Sequence, residues 1–182
     1  FLRETRTYEI IEDGKNFRSE IGVLFLNSYN RDVLTKMFDD NRLTYTSLFK
    51  ARPHIFVSKS NPLAKHEVVS LEDLEDFPYL SYDQGIHNSF YYSEEILSQI
   101  PHKKSIVVSD RATLFNLLIG LDGYTIATGI LNSNLNGDNI VSIPLDIDDE
   151  IDIVYLKHEK ATLSKMGEKF LDNLVKEVTF DN

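Results

Sequence analysis

Two β-branched runs, Ser105-Ile106-Val107-Val108 and Tyr124-Thr125-Ile126-Ala127-Thr128, enclose a stretch of fifteen residues with an apolar interior, and this spacing constrains the fold more than any other feature. Strand, helix and strand in that order make a βαβ unit. Ser109 or Asp110 is placed to cap the helix, and Gly120 or Gly123 to stop it. Between them Ala112, Leu114, Phe115, Leu117, Leu118, Ile119 and Leu121 leave almost no polar face, so a buried helix is expected. In open α/β sheets small ligands gather at the carboxyl ends of strands, beside helix N-termini that favour negative charge. Ser109, Asp110, Arg111, Thr128 and Gly129 occupy such corners and are the first candidate binding residues.

The other polar concentration follows the strand expected over Pro78–Tyr82. Tyr82, Gln84, His87, Asn88 and Ser89 precede a helix that should carry Phe90, Tyr91, Ile96, Leu97 and Ile100 inward and end at Pro101. Thr7, after a strand end at Phe1–Arg6, should cap a helix reaching about Phe17, which adds Thr5 and Thr7 as candidates. Three helix starts with Arg111 nearby favour a small ligand bearing a carboxylate, each dipole contributing about 0.3–1 kcal/mol. Each residue alone reads as an ordinary cap; their convergence raises the functional reading.

Elsewhere Ile21–Leu26 suits a buried parallel strand, and Asn30 opens a helix carrying Val33, Leu34, Met37 and Phe38. Leu43–Lys59 reads as one strand, interrupted at Pro53, that leaves one lobe and enters another. Ile140–Leu145 and Ile153–Lys157 read as strands on either side of the acidic run Asp146–Asp152, taken as a solvated loop. Thr162 opens a final helix with Leu163, Met166, Phe170 and Leu174 on its inner face and Leu171, Val175 and Val178 beside them.

Composition removes several classes of function. The 182 residues carry a net charge of −10, which argues against direct nucleic-acid binding, since that affinity comes largely from Lys and Arg on phosphates. No Cys is present, so thiolate nucleophiles, disulfides and Cys-based metal centres are ruled out. No apolar run approaches the ~20 residues of a membrane helix, and the first residues lack a signal-peptide core. A cytoplasmic protein without membrane contact is the default expectation. The chain opens on Phe rather than Met, which suggests a fragment of something longer.

Catalytic and metal motifs are weak. Asn132-x-Asn134-x-Asn136-Gly137 has EF-hand spacing, but Asn replaces every acid and Ile143 stands where the terminal Glu should be, so a plain loop is expected. Ser47-x-x-Lys50 matches an acyl-transfer pair, yet in a strand residues three apart point to opposite faces. His54, His66, His87, His102 and His158 have no metal-type spacing. No cofactor, no metal site and no enzymatic activity are expected.

In order and spacing, Pro62-Leu63-Ala64 (with Asn61 where His is common), Val69-Ser70-Leu71-Glu72-Asp73-Leu74 before Phe77-Pro78, and Ile143-Pro144-Leu145 followed by an amphipathic helix are similar to one family. From Thr5 to Val178 the chain resembles the effector-binding domain of LysR-type transcriptional regulators. Ser89-Phe90-Tyr91-Tyr92-Ser93-Glu94-Glu95 and Ser109–Ile130 resemble a Gram-positive subgroup associated with sulfur amino-acid metabolism. The resemblance implies an α/β fold of two Rossmann-like lobes joined by two crossing strands, periplasmic-binding-protein-like of type 2. Residues 1–52 with 147–182 would form the first lobe and 53–146 the second. It also implies a small-molecule effector in the interlobe cleft, a homo-oligomer (dimer or tetramer) in the full-length regulator, and DNA contacts made only by a preceding winged helix-turn-helix.

Two departures stand out. The family's domain begins with a strand and a helix before the strand read at Phe1, so the first lobe is expected to be truncated at its N-terminus, and effector-binding Ser or Thr residues of that missing turn would lie outside this sequence. Gly14 stands where the family has an apolar or helix-favouring residue. An extracytoplasmic solute-binding protein shares the lobes and is the alternative; an enzyme of the late tetrapyrrole or prephenate type would need an arginine-rich or catalytic Asp site that the sequence lacks.

Overall fold

The computed structural model describes residues 1–131 and 137–180. Residues Phe1–Ala51 and Glu150–Asn182 form one compact unit, and Arg52–Asp149 a second. The chain passes from the first unit to the second at Ala51–Arg52 and returns at Asp149–Glu150.

The first unit is built on a three-stranded sheet of β1 (Gly22–Leu26), β2 (Leu43–Ala51) and β8 (Ile151–His158), with β8 in the middle and antiparallel to both neighbours. The expectation of a parallel strand at Ile21–Leu26 is therefore corrected: an apolar run states burial and leaves direction to its partner. Helices α1 (Thr7–Lys15) and α2 (Arg31–Asp40) supply Ile11, Leu34 and Phe38 to a core shared with Leu24, Leu26, Val154 and Leu156. Leu34 and Phe38 stand four apart, one above the other on the inner face of α2.

Four further expectations in this unit change. Phe1–Arg6 belongs to no ladder, and Phe1 and Leu2 are exposed, because extended backbone becomes a strand only when a neighbour accepts its hydrogen bonds. Thr7 is the first helical residue and the cap position falls on Arg6, which makes no side-chain cap bond. Asp152 lies inside β8 and is buried; the Arg31 guanidinium at 3.2 Å and the Ser47 hydroxyl compensate its charge, so the acidic run is a solvated loop only up to its last member. The final helix, α4 (Lys165–Phe180), leaves Met166 and Phe170 exposed. Its inner line is Gly167 and Leu171, both buried, with Leu174, Val175 and Val178 half-buried. Ser164 caps it, donating from its backbone N–H and its hydroxyl to the Glu20 carboxylate and accepting from the Gly167 N–H at 3.1 Å.

Glycines fix two close approaches here. Gly14 sits inside α1 because a Cβ would stand 3.2 Å from Leu43 Cδ2, so packing against β2 accounts for a residue that helix propensity disfavours. A Cβ on Gly22 would collide with Ile10 Cγ2 of α1. Gly22→Ala should cost about 1–3 kcal/mol by overpacking. In an Ile10→Ala background the added cost should shrink; additive costs in urea denaturation would show that the two residues do not press on each other.

The second unit holds a five-stranded sheet in the order β5 (Ser105–Val108), β4 (Tyr79–Tyr82), β6 (Tyr124–Ala127), β3 (His54–Ser58), β7 (Ile140–Pro144). β4 runs parallel to β5 and β6, whereas β3 is antiparallel to β6 and β7. Pro53 divides the expected long strand, so β2 and β3 belong to different units. Asn61, 1% exposed, accepts from Leu63 N–H and donates to Asp122 O at 2.7 Å, tying the Pro62–Lys65 3-10 turn to the connection before β6.

The βαβ unit forms, with α3 at Arg111–Gly120, but its helix is not buried all round. Leu114 and Leu118 pack with Phe56, Leu80, Val108 and Ile140; Ala112, Ile119 and Leu121 are exposed. A helix lying on one face of a sheet can bury only one stripe. Residues 132–136, which carry the EF-hand-like spacing, lie outside those described.

Candidate functional site

The parallel ladder of β4 and β5 ends with Tyr82 opposite Val108, and Asp83 N–H donates to Val108 O at 2.8 Å. This register sets the start of the segment Tyr82–Ser89 beside Val108, the residue that precedes Ser109, Asp110 and Arg111. Because β6 runs in the same direction, Thr128 and Gly129 follow its end on the same side of the sheet. Sequence-separated polar corners of the second unit are thus gathered by strand direction.

Within that group each residue has an identifiable local role. Asp110 caps α3: its carboxylate accepts Thr113 N–H at 2.9 Å and Thr113 Oγ1–H at 2.8 Å. Those donors hold its carboxyl below the usual range. The N-terminus of α3 is therefore neutralised by the protein's own carboxylate, and a bound anion would draw on Arg111, whose guanidinium lies 5.0 Å from the Phe115 ring, more than on the helix dipole. Ser109 is exposed and Thr128 half-buried. Gly129 has φ +82°, and a Cβ there would meet the His54 ring at 2.5 Å, so glycine is required by backbone and packing.

No long helix follows β4. Two 3-10 turns, Gly85–His87 and Phe90–Tyr92, replace the expected one, and Leu97 has φ +61°. Asp83 Oδ1 accepts Gly85 N–H at 2.9 Å, and Ser89 N–H donates to His87 O at 2.8 Å. Asn88 is exposed; His87 and Ser89 are half-buried. The second helix dipole expected here is absent, because Glu95 and Ile96 turn inward, 4% and 1% exposed, and a regular helix through Leu97 is incompatible with its left-handed backbone.

Gln84 and Glu95 form the most unusual polar arrangement. Glu95 Oε1 accepts the Tyr82 N–H at 2.6 Å. Burial is the main cause that pushes its carboxyl up to about 7, with Glu94 acting in the same direction. Gln84, 5% exposed, has Nε2 3.5 Å from Tyr82 O and an Oε1 with no hydrogen-bond partner among the described residues. The sequence reading named Gln84 as a candidate and passed over Glu95, since a Glu beside another Glu reads as a solvated surface.

At the opposite ends of β4 and β6, His102 stacks on Tyr79 with ring centroids 3.8 Å apart and places Nδ1 2.9 Å from Tyr124 Oη. Burial lowers the His102 pKa, favouring the neutral ring, and raises both tyrosines.

In the first unit Thr5 donates to the Glu9 carboxylate and Thr7 is buried at the start of α1. Asn27 and Asn30, both buried, close the turn after β1: each side-chain oxygen accepts a backbone N–H of the other, at 3.0 and 2.9 Å. A register shift between Ser47 and Phe49 corrects the reading of Ser47-x-x-Lys50. Ser47 stands opposite Val154 and Lys50 opposite Asp152, so the bulge brings both to one face. They still form no nucleophile and base: Lys50 pairs with Glu150 at 2.6 Å, which raises its pKa and keeps it protonated, and Ser47 is bound to Asp152. No group of three or more His, Asp or Glu able to hold a metal, and no helix long and apolar enough to cross a membrane, occurs among the described residues.

Against known proteins, no curated sequence matches. Solved structures share the fold. HinK, a LysR family transcriptional regulator from Pseudomonas aeruginosa, is 15% identical with a TM-score of 0.64, over 96% of this chain and 58% of that one. The effector-binding domain of QuiR, solved in complex with shikimate, is 18% identical with a TM-score of 0.61, over 94% and 78%. A variant of the BenM effector-binding domain is 19% identical with a TM-score of 0.65, over 99% and 81%. The chain thus spans only 58% of HinK, and likewise 59% of the PA01 protein of Pseudomonas aeruginosa. The architecture is the type 2 periplasmic-binding-protein-like fold of such domains. With the model of the LysR substrate binding domain matching residues 2–179, this chain belongs to that family.

Proposed function

We infer that the chain is the effector-sensing domain of a LysR-type transcriptional regulator and binds a small carboxylate-bearing metabolite through the polar corners of its second unit. The observation that supports this reading is the register Tyr82 opposite Val108, from which the segments 82–89 and 109–111 both set out at the same end of the sheet. Arg111 supplies positive charge for the carboxylate, with the Ser109 and Thr128 hydroxyls as further donors. The resemblance to regulators of sulfur amino-acid metabolism makes precursors of those amino acids the first ligands to try. In the longer regulator, a homo-oligomer acting in the cytoplasm, the effector would shift the population of two conformations and so alter the spacing of DNA-binding domains, which requires different affinities for the two states.

Calorimetry with a panel of amino acids, their O-acylated and sulfur-containing precursors and the matching hydroxy acids tests this. At least one compound should bind, and Arg111→Ala or Thr128→Ala should weaken it about tenfold, as loss of a charge-assisted hydrogen bond implies. Binding unaffected by both substitutions overturns the site; a panel in which nothing binds overturns the effector reading.

A further inference from the structure

β4 keeps its register with β5 from Tyr79 to Tyr82, but its pairing with β6 is confined to Tyr79 opposite Tyr124. Asp83 turns its N–H to β5, so alternation sends the N–H and C=O of Tyr82 to the other edge of β4, where the ladder with β6 has already ended. Side chains occupy that edge instead of a strand: Glu95 takes the N–H, and the Gln84 amide approaches the C=O. Both are more than nine-tenths buried, and among the described residues Gln84 Oε1 has no donor.

We propose that this edge is a subsite for a protonated amine, whose N–H groups donate to the Glu95 carboxylate and to Gln84 Oε1. The inference rests on the preceding reading that this corner takes a small molecule, and it names that molecule's second charged group.

The chemistry selects an amine on three counts. The orphaned Gln84 Oε1 calls for a donor, since a buried acceptor left without one is costly. A buried carboxylate is stable as an anion only beside a positive charge, and no Lys or Arg forms an ion pair with Glu95 among the described residues. An anionic group would meet Glu95, with Asp83, Glu94 and Asp110 on the adjoining segments, and be repelled. A ligand that satisfies both Arg111 and this subsite is an amino acid or an amine-bearing acid.

Methylammonium chloride is the direct probe, and tetramethylammonium chloride, of equal charge but without an N–H donor, is the control. The 182-residue chain is labelled with 13C-glutamate and the Glu95 carboxyl resonance is assigned by its loss in Glu95→Gln. Slightly above neutral pH, methylammonium should shift that resonance saturably and lower its titration midpoint, and tetramethylammonium should do neither. Gln84→Leu should raise the concentration needed by about tenfold. Equal responses to the two salts overturn the subsite; should Glu95→Gln fail to fold, through-bond correlation to the Glu95 backbone supplies the assignment in the unsubstituted chain. The outcomes separate from those of the effector reading. If methylammonium is held and no panel compound binds, the subsite stands and the effector reading falls; if hydroxy acids bind as well as their amino counterparts while the salts act alike, the reverse holds.

Discussion

Replacing Gly129 by alanine is expected to destabilise the second unit by about 2–4 kcal/mol, the sum of a left-handed backbone penalty and overpacking. The residue has φ +82°, and its absent Cβ would lie 2.5 Å from His54 Nδ1 and 2.6 Å from Cγ. A retreat of the ring would give up the contact of the same Nδ1, 2.9 Å from Arg52 O, while the His54 backbone is held by pairing to both β6 and β7. Urea denaturation followed by far-ultraviolet circular dichroism measures the loss. In a His54→Ala background the contact is relieved and only the backbone penalty, roughly 1–2 kcal/mol, should remain. An unchanged midpoint for Gly129→Ala would mean that this glycine answers to something other than local geometry, such as the approach of a ligand.

The second large effect is a dependence on pH that runs opposite to that of most carboxylates. Glu95 is raised from the ordinary 4.5 to about 7, chiefly by burial. Between those values the folded chain retains a proton that the unfolded chain has released, so stability falls as pH rises through the window, by as much as about 3 kcal/mol. The Glu95 contribution is fully present below pH 4.5 and lost above about 7. Asp73 and Asp110 have lowered pKa values from their capping bonds, so they act in the other direction and below this window. Glu95→Gln keeps a carbonyl acceptor for Tyr82 N–H and removes the titration. Urea midpoints at about pH 5 and about pH 7.5 should therefore diverge more in the wild type than in the variant. Parallel behaviour would show that Glu95 titrates normally. An amine at the proposed subsite would offset the loss at the upper end of the window, since it favours the charged carboxylate.

Periodicity and caps made much of the fold legible. The runs Ser105–Val108 and Tyr124–Ala127, the cap at Asp110, the stripe of Leu34 and Phe38, and the division at Pro53 all depend on residues close in sequence, whose preferences act locally. The helix expected after Asn88 failed for a different reason. Its apolar residues have helical spacing, yet Glu95 is drawn in to accept the Tyr82 N–H and Leu97 takes a left-handed conformation. The need arises on another strand, out of reach of any local pattern. Met166 and Phe170 illustrate a similar limit: their spacing fits an inner face, but the close approach of Gly167 to Glu20 and Ile21 sets which stripe of α4 faces the sheet.

The candidate site divides in the same way. Polar residues at the ends of strands could be named from sequence because capping and turn chemistry are local, and Ser109–Arg111 and Gln84–Ser89 were found so. By itself the sequence determined the family, the βαβ unit from Ser105 to Ala127 and the positions of these polar corners in the chain. Only the tertiary structure decided that β1 is antiparallel to β8, that a bulge sets Ser47 and Lys50 on one face, and that Asp152 and Glu95 are buried carboxylates with different fates. Asp152 meets Arg31 and, among the described residues, Glu95 forms an ion pair with no Lys or Arg, a difference that depends on residues 121 positions apart in one case and on where a strand ladder ends in the other. Charge compensation is a property of neighbours in space, and neighbours are what folding supplies.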